Sequence, residues 1–319
     1  MQFCFIVEEQ YKNERMPMAV VDQLRQWQHT VDLLEPHTTI TSLHDLTKQR
    51  YDAYILKTVS DGPGLSLLQA AEAVGLPTIN RVRAIRLVRD KAVAMALAYA
   101  HDIPIPQTYF VADPQLLKQV PPIYYPLVIK PTNGSSGRGI YRVNSPAELE
   151  RLQIVETESS FFLAQHYMEN SGFDIKMYVM GHEVFSVAKS SPLHPEVRVE
   201  KKCIPTTVEL QALALRIGKT FGLDIYGLDI VETPHGPVVV DINDFPSFGL
   251  VPGAVPRIAR YVLHLAKQQA HNHRPLPPSR KEHDLLAPQR TQAVEIGPRS
   301  GLPLYHNSSS SFDETWGKY

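Results

Sequence analysis

The stretch from Gly227 to Pro246 reads GLDIVETPHGPVVVDINDFP and decides the fold. Two apolar runs flank a Pro-His-Gly-Pro sequence, which predicts two strands joined by a turn. Asp229 lies on the first strand, whereas Asp241 and Asn243 lie two residues apart on the second and so point to one face. Two carboxylates and an amide oxygen suit Mg²⁺, with substrate phosphates completing its coordination. The simpler alternative is an ordinary hairpin, in which Asp229 would be costly to bury without a partner.

A second segment, upstream of the hairpin, has the composition of a phosphate-binding loop. Pro126–Pro131 is a short apolar strand that contains Lys130, and the glycine-rich sequence Thr132–Gly139 separates it from another apolar run, Ile140–Val143. Backbone N–H groups of such a loop can close over phosphates. The segment has neither the Gly-Lys-Ser/Thr of a Walker A loop nor the glycine spacing of a dinucleotide fold. Taken alone, it also fits an ordinary hairpin rich in Gly and Ser.

Together and in this order, the two segments resemble the ATP-grasp superfamily, and most closely its RimK-like carboxylate–amine ligases. Further similar segments are Leu76–Asn80, Ala84–Lys91, Ile103–Thr108, Leu163–Met168 and Phe173–Gly181. The resemblance implies a mixed α/β (α+β) ATP-grasp fold. In that fold, residues 1–85 form an N-terminal α/β domain, residues 86–268 form two α+β subdomains that clamp ATP, and residues 269–319 form a mostly disordered tail.

The resemblance also implies a site for ATP and Mg²⁺, with Mn²⁺ as an alternative metal. Lys91 and Lys130 match the two lysines that hold ATP phosphates. Asp229, Asp241 and Asn243 match the metal ligands. The other matches are the glycine-rich flap, the hinge that faces adenine and an acidic residue near the ribose: Gly134, Ser135, Ser136, Gly137, Gly139, Gln165, His166, Tyr167 and Asp174.

Two departures from the ligase pattern leave the acceptor open. The ligases often carry Glu where Asp241 stands, and the Asp-Ile-Asn sequence instead resembles inositol polyphosphate kinases, which phosphorylate hydroxyl groups. The stretch Ser190–Arg198 also lacks the double glycine with which RimK-like ligases shape the acceptor site. A carboxylate–amine ligase that acts through an acylphosphate is our first hypothesis. A small-molecule kinase of the inositol-phosphate type is the second, and a nucleotide-binding protein without catalysis is the third.

An anionic acceptor requires positive charge, and several basic residues follow the hinge. Lys176 lies two residues after Asp174 and therefore on the same face of a predicted strand. Lys176 and Arg198 are our candidate catalytic residues, and Lys189 is a further source of charge. Lys57 lies at the carboxyl end of a predicted strand, where ligands bind in open α/β sheets, although a solvated loop lysine is the simpler interpretation.

Composition limits the classes of function. The chain has 319 residues, 43% of them hydrophobic, which is enough for more than one lobe. Its net charge of -1 gives no general attraction to nucleic acid or anionic membranes. The two cysteines, Cys4 and Cys203, have no metal-binding spacing and predict reduced thiols. We therefore expect a cytoplasmic protein with a small-molecule or peptide acceptor and no nucleic-acid or membrane partner. The sequence leaves the oligomeric state open.

Overall fold

The computed structural model describes residues 1–46, 48, 51–57, 62–132, 139–152 and 161–272, with side chains as far as residue 269. These residues fall within one unit of the fold, Met1–Arg274. Four predicted flap residues, Gly134, Ser135, Ser136 and Gly137, lie outside the described residues, as does the predicted tail from residue 273 onward. Among the helices that are described, none combines the length and the apolar composition that a membrane crossing requires.

The N-terminal residues form a parallel four-stranded sheet in the order β2-β1-β3-β4. Its elements in chain order are β1 (Gln2–Val7), α1 (Arg15–Gln26), β2 (Thr30–Leu34), α2 (Leu43–Leu46), β3 (Ala53–Lys57), α3 (Pro63–Ala73) and β4 (Thr78–Ile79). The central strand β1 is apolar and buried on both faces, as expected where helices cover a parallel sheet. Its register with β3 aligns the carboxyl ends of the two strands, at Val7 and Lys57.

A second sheet, in the order β5-β8-β6-β7, is antiparallel. Its elements and the two helices before it are α4 (Val82–Arg89), α5 (Lys91–Ala100), β5 (Thr108–Val111), β6 (Leu127–Pro131), β7 (Tyr141–Val143), α6 (Pro146–Arg151) and β8 (Phe162–His166). The side chain of Asp90 accepts hydrogen bonds from the backbone N–H groups of Ala92 and Val93 and so caps α5. Lys91 therefore occupies the first turn of a capped helix, which fixes where its side chain emerges.

The third sheet carries the predicted metal ligands and has the order β11-β10-β9-β12-β13. Its elements are β9 (Phe173–Met180), β10 (Glu183–Ser190), β11 (Lys202–Ile204), α7 (Val208–Phe221), β12 (Ile225–Thr233) and β13 (Gly236–Asp244), followed by α8 (Ala254–Asn272). The predicted hairpin is confirmed, since β12 and β13 pair antiparallel around the turn between Thr233 and Gly236. Helix α8 continues past residue 268, the predicted end of the ATP-grasp domain, and the domain boundaries stay predictions.

One buried side chain ties the N-terminal sheet to the third sheet. Asn80, directly after β4, is 2% exposed. Its Nδ2 donates to the carbonyl oxygen of Ile225 at 2.7 Å, and its Oδ1 accepts from the N–H groups of Asp224 and Ile225, both at 2.8 Å. All of these partners lie at the start of β12, so Asn80 fixes the N-terminal sheet to the strand that carries Asp229.

Replacing Asn80 by Ala should lower the free energy of unfolding substantially. The change leaves the N–H groups of Asp224 and Ile225 and the carbonyl of Ile225 without their side-chain partner, and an unsatisfied buried group costs about 1–3 kcal/mol. Urea unfolding followed by circular dichroism measures the loss. Asn144→Ala, at an exposed position, is the matched control and should stay close to the wild type. Equal stabilities of the Asn80 and Asn144 variants would contradict the assigned role.

Candidate active site

The three predicted metal ligands converge on neighbouring strands. The register of β12 and β13 places Asp229 directly opposite Asp241. The Nδ2 of Asn243 lies 3.3 Å from Oδ2 of Asp229 and 3.5 Å from Oδ2 of Asp241. Two carboxylates and one amide therefore meet on one face of the third sheet. In this arrangement the amide presents its nitrogen, so metal ligation by the Asn243 oxygen requires the amide group to rotate.

Lysine side chains from three elements neutralise the two carboxylates. Lys91 Nζ donates to both oxygens of Asp241, at 2.8 and 2.9 Å. Lys189 Nζ on β10 lies 2.8 Å from Oδ1 of Asp229, and Lys176 Nζ on β9 lies 3.5 Å from its Oδ2. The strand register explains the contact between Lys176 and Asp229, because the two residues are directly opposite each other on β9 and β12. The prediction that Lys176 has a place in the site is thus supported by its contact.

Lys189 also links the metal ligands to the predicted ribose contact. Its Nζ lies 3.8 Å from Oδ2 of Asp174, which is opposite Lys189 in the register of β9 and β10. Burial raises the pKa of the Asp174 carboxyl, although Ser191 and Lys189 oppose the shift. Burial alone would lower the pKa of Lys189, but Asp229 outweighs it, so the net pKa is raised and the ammonium stays charged.

Lys130 is a buried cation beside the same hairpin. Its Nζ donates to the carbonyl oxygen of Val240 at 2.7 Å, and the side chain is 9% exposed. Burial lowers the pKa of Lys130 to about 8, partly opposed by the charge of Asp241. For Asp241 itself, burial would raise the pKa, but Lys91 and Lys130 together hold it below its ordinary value. The hairpin thus keeps an ionised carboxylate next to two lysines.

The predicted hinge residues are held by hydrogen bonds to other elements. The Gln165 side chain, which is buried, donates to Oγ1 of Thr108 at 3.1 Å. His166 Nδ1 lies 2.7 Å from the carbonyl oxygen of Tyr124. The Tyr167 hydroxyl lies 2.7 Å from Nε2 of His194. Because these side chains are engaged with other parts of the protein, we expect the backbone of the hinge to face adenine, which stays a prediction.

Arg198 is not brought to the carboxylates. It lies exposed on the connection between β10 and β11, and within the described chain it does not join the ion pairs of Asp229 and Asp241. The same connection contacts the hinge through His194, whose ring lies 5.9 Å from that of Tyr167. The guanidinium of Arg142, on β7, lies over the Tyr167 ring, 4.0 Å from its centroid. The catalytic role of Arg198 therefore remains a prediction without a supporting contact.

Two cations near the site were missed or undervalued by the sequence analysis. The Arg89 guanidinium forms a bidentate ion pair with Asp244, in which Nε lies 3.1 Å from Oδ1 and Nη2 lies 3.0 Å from Oδ2. Lys57 donates to the carbonyl oxygen of Phe245 and lies 4.7 Å above the ring of Tyr11. Burial lowers the pKa of Lys57 to about 8. The solvated interpretation of Lys57 was wrong, and its position at the end of β3 was the signal that pointed to the crevice.

Comparisons with known proteins agree with this geometry. The family model for the RimK-like ATP-grasp domain matches residues 88–251. A probable alpha-L-glutamate ligase of Legionella pneumophila (strain Corby) is 29% identical over 226 residues, which cover 66% of this chain and 75% of the relative.

Two solved structures share the fold. A RimK domain ATP-grasp protein from Sphaerobacter thermophilus has a TM-score of 0.62 and 19% identity, and the match covers 82% of this chain and 100% of that structure. D-alanine–D-alanine ligase from Bacillus anthracis, complexed with ATP, has a TM-score of 0.64 and 15% identity over 86% of this chain and 100% of that structure. The predicted ATP-grasp fold is thereby confirmed. This chain belongs to the RimK-like ATP-grasp family and is an ATP-dependent ligase of the ATP-grasp type.

Proposed function

We propose that the protein uses MgATP to convert a carboxylate into an acylphosphate, which an amine then attacks to form an amide. The observation that supports the proposal most is the meeting of Asp229, Asp241 and Asn243 with two lysines, Lys91 and Lys130. Phosphoryl transfer needs reactants to be positioned and negative charge to be neutralised more than it needs covalent help from the protein. A hairpin that supplies metal ligands, next to lysines that can bind phosphate, meets both needs.

The residues present fit Mg²⁺ accompanied by a nucleotide. ATP-grasp ligases use ATP and Mg²⁺, and Mg²⁺ prefers oxygen ligands and shares its coordination shell with substrate phosphates. Asp229 and Asp241 would hold the ion from opposite strands, and Asn243 would do so after its amide rotates. When bound, the ion would withdraw charge from phosphate oxygens and favour transfer of the terminal phosphoryl group.

Binding of the nucleotide would require Lys91 to change its partner. Lys91 holds both oxygens of Asp241, so it must release at least one of them before that carboxylate can ligate a metal. The phosphates of ATP offer the Lys91 ammonium a new anionic partner at the same moment. Lys130, on the strand that leads into the predicted flap, needs no such exchange, because its ammonium donates to a backbone carbonyl of the hairpin and not to a metal ligand.

The surroundings of Lys57 support an anionic acceptor. Lys57 and Arg89 lie beside Asp244, at the end of the hairpin. The positive charge of Lys176 also contributes to the lowered pKa of Lys57. Lys57 and Arg89 place two cations beside one carboxylate, which leaves an excess of positive charge where a carboxylate acceptor would approach. The name of the Legionella relative makes glutamate the first amine substrate to test.

A kinase is the second candidate, favoured by the Asp-Ile-Asn sequence of residues 241–243 and by the absence of a double glycine in Ser190–Arg198. The products separate the two. A ligase releases ADP and inorganic phosphate and forms an amide, whereas a kinase releases ADP alone and leaves the phosphate on the acceptor. We expect incubation with MgATP, glutamate and pooled carboxylates to release phosphate and to yield an amide in mass spectrometry. A phosphate ester without free phosphate would establish the kinase instead.

Lys130→Ala should weaken MgATP binding by about 1–3 kcal/mol, the range for a lost charge-assisted hydrogen bond. Because the pKa of Lys130 is lowered to about 8, the free protein loses this proton as the pH rises above that value. Phosphate favours the charged form, so nucleotide binding above pH 8 should take up protons in the wild type and fewer in the variant. Calorimetry in buffers of different ionisation enthalpy measures both quantities. Lys202→Ala, at an exposed site, is the control. Unchanged MgATP affinity in the Lys130 variant would contradict the proposed contact between Lys130 and the phosphates.

Asp229→Asn and Asp241→Asn should each abolish turnover while the protein stays folded. Each change removes one negative charge from the predicted metal site but little volume, and it leaves a lysine facing a neutral amide. The readouts are phosphate release and the melting temperature, which tells lost chemistry from lost structure. Asp45→Asn, which alters an exposed carboxylate outside the site, is the control. Wild-type turnover in either site variant would mean that the metal binds elsewhere.

A further inference from the structure

A groove of about 1120 Å³ opens beside the site, between the helices α3 to α5 and the second sheet. We call it the arginine groove and define it by Arg83, Arg86, Val93, Phe110 and Phe161. Neither the metal ligands nor the predicted nucleotide contacts include any of these five residues. The two sides of the groove differ in chemistry, and that difference indicates what it binds.

The helix side of the groove is positively charged. Arg83 and Arg86 are three residues apart on α4 and therefore project from the same face of the helix, and both are exposed. The Arg86 guanidinium donates to the side-chain oxygen of Gln69. In the part of the chain that the structure describes, neither arginine forms an ion pair with a carboxylate. Both charges are thus available to a ligand.

The carboxylates that also line the groove are engaged elsewhere. Glu72 accepts hydrogen bonds from Oγ1 of Thr78 at 3.2 Å and from the N–H group of Val82 at 3.0 Å. Asp90 caps α5 by accepting from two N–H groups in its first turn, at 3.0 and 3.1 Å. Both carboxylates therefore accept hydrogen bonds at the starts of helices, and the three arginines that line the groove, Arg83, Arg86 and Arg89, outnumber them.

The sheet side of the groove is apolar and aromatic. Phe110 on β5 is 54% exposed and Phe161, just before β8, is 51% exposed, and their ring centroids lie 5.7 Å apart. Val93 adds a further apolar surface that is 40% exposed. Covering adjacent, half-exposed aromatic rings with an apolar group is favourable in water, and exposed apolar surface of this kind is common at binding sites.

The groove reaches the reaction centre. Arg89 and Thr132 also line it. Arg89 is paired with Asp244, the residue after Asn243. Lys91, two residues after Arg89, holds Asp241. A ligand that occupies the groove therefore ends next to the residues that would bind phosphate and metal.

We propose that the arginine groove binds an acidic peptide that belongs to the acceptor substrate. Side chains of an extended peptide alternate between two sides. Acidic side chains would therefore reach Arg83 and Arg86 while apolar ones cover Phe110 and Phe161. This inference rests on the proposed ligase function only in identifying the peptide as the acceptor. The binding itself is independent of turnover.

Fluorescence anisotropy tests the proposal without ATP, using a short fluorescein-labelled peptide of alternating Glu and Phe. The wild type should bind it, and the double variant Arg83→Glu/Arg86→Glu should bind about tenfold more weakly, because two attractive charges become repulsive. Arg260→Glu, an exposed arginine on α8, is the matched control and should bind like the wild type. Phe110→Ser, which removes one aromatic ring, should also weaken binding. Melting temperatures show that each variant is folded.

Two further probes fix the chemistry of the ligand. A peptide of alternating Lys and Phe should not bind, and free glutamate at the same concentration of carboxylates should not compete. The proposal is overturned if the Lys peptide binds equally well, if free glutamate displaces the Glu peptide, or if the double variant keeps wild-type affinity. Amide formation on another acceptor, with no peptide binding, overturns the groove alone. Peptide binding without amide formation on any acceptor overturns the ligase function and leaves the groove.

Discussion

Two carboxylates that face each other across β12 and β13 impose the main physical constraint on this structure. Like charges on directly opposed residues repel each other, and partial burial of Asp229 and Asp241 adds a cost of desolvation. The fold meets the constraint with ammonium groups from a helix and two strands, Lys91, Lys176 and Lys189. Carboxylates that are paired with lysines in the absence of ligand can accept a metal and an anionic nucleotide together, because the lysines can then move from carboxylate to phosphate. Either ligand alone would leave charge uncompensated.

The N-terminal sheet completes the site from the other side. Asn80 fixes this sheet to the start of β12, and Lys57 reaches from β3 to the backbone of Phe245, just beyond the hairpin. Phe245 and Phe248 both have positive φ values, 32° and 52°, which are rare for residues with a side chain and concentrate near functional sites. Their rings are buried in the apolar cluster that also contains residues of the N-terminal sheet and α8, so packing holds this backbone conformation in place. This side of the site thus depends on contacts between residues far apart in sequence.

The hairpin was predictable because its signals are local. Alternating apolar residues, a Pro-His-Gly-Pro turn and the spacing of Asp241 and Asn243 fix strands, turn and shared face within twenty residues or so. The position of Lys176 on the same strand face as Asp174 was predictable for the same reason, since side chains two residues apart on a strand point to the same side. The position of Lys57 at the end of a strand was predictable too, but its burial was not, because the burial comes from a packing contact with Phe245, 188 residues away.

Side chains that only tertiary structure brings together were the hardest to predict. Arg89 looked like part of a helix, and nothing near it in sequence indicated Asp244 as its partner. The arginine groove gave no signal in sequence, because its charged side and its aromatic side come from separate segments of the chain. For Arg198 the need for positive charge near an anionic acceptor suggested a role, while the structure leaves the residue on an exposed connection.

The central claim is that Asp229, Asp241 and Asn243 hold a divalent metal that arrives with the nucleotide. The most direct measurement is anomalous diffraction from crystals grown with Mn²⁺ and a non-hydrolysable ATP analogue. We expect one or more anomalous peaks within bonding distance of these side chains, with Lys91 moved from Asp241 to the phosphates. Metal bound elsewhere, or Lys91 still on both oxygens of Asp241 while the analogue is bound, would contradict the account.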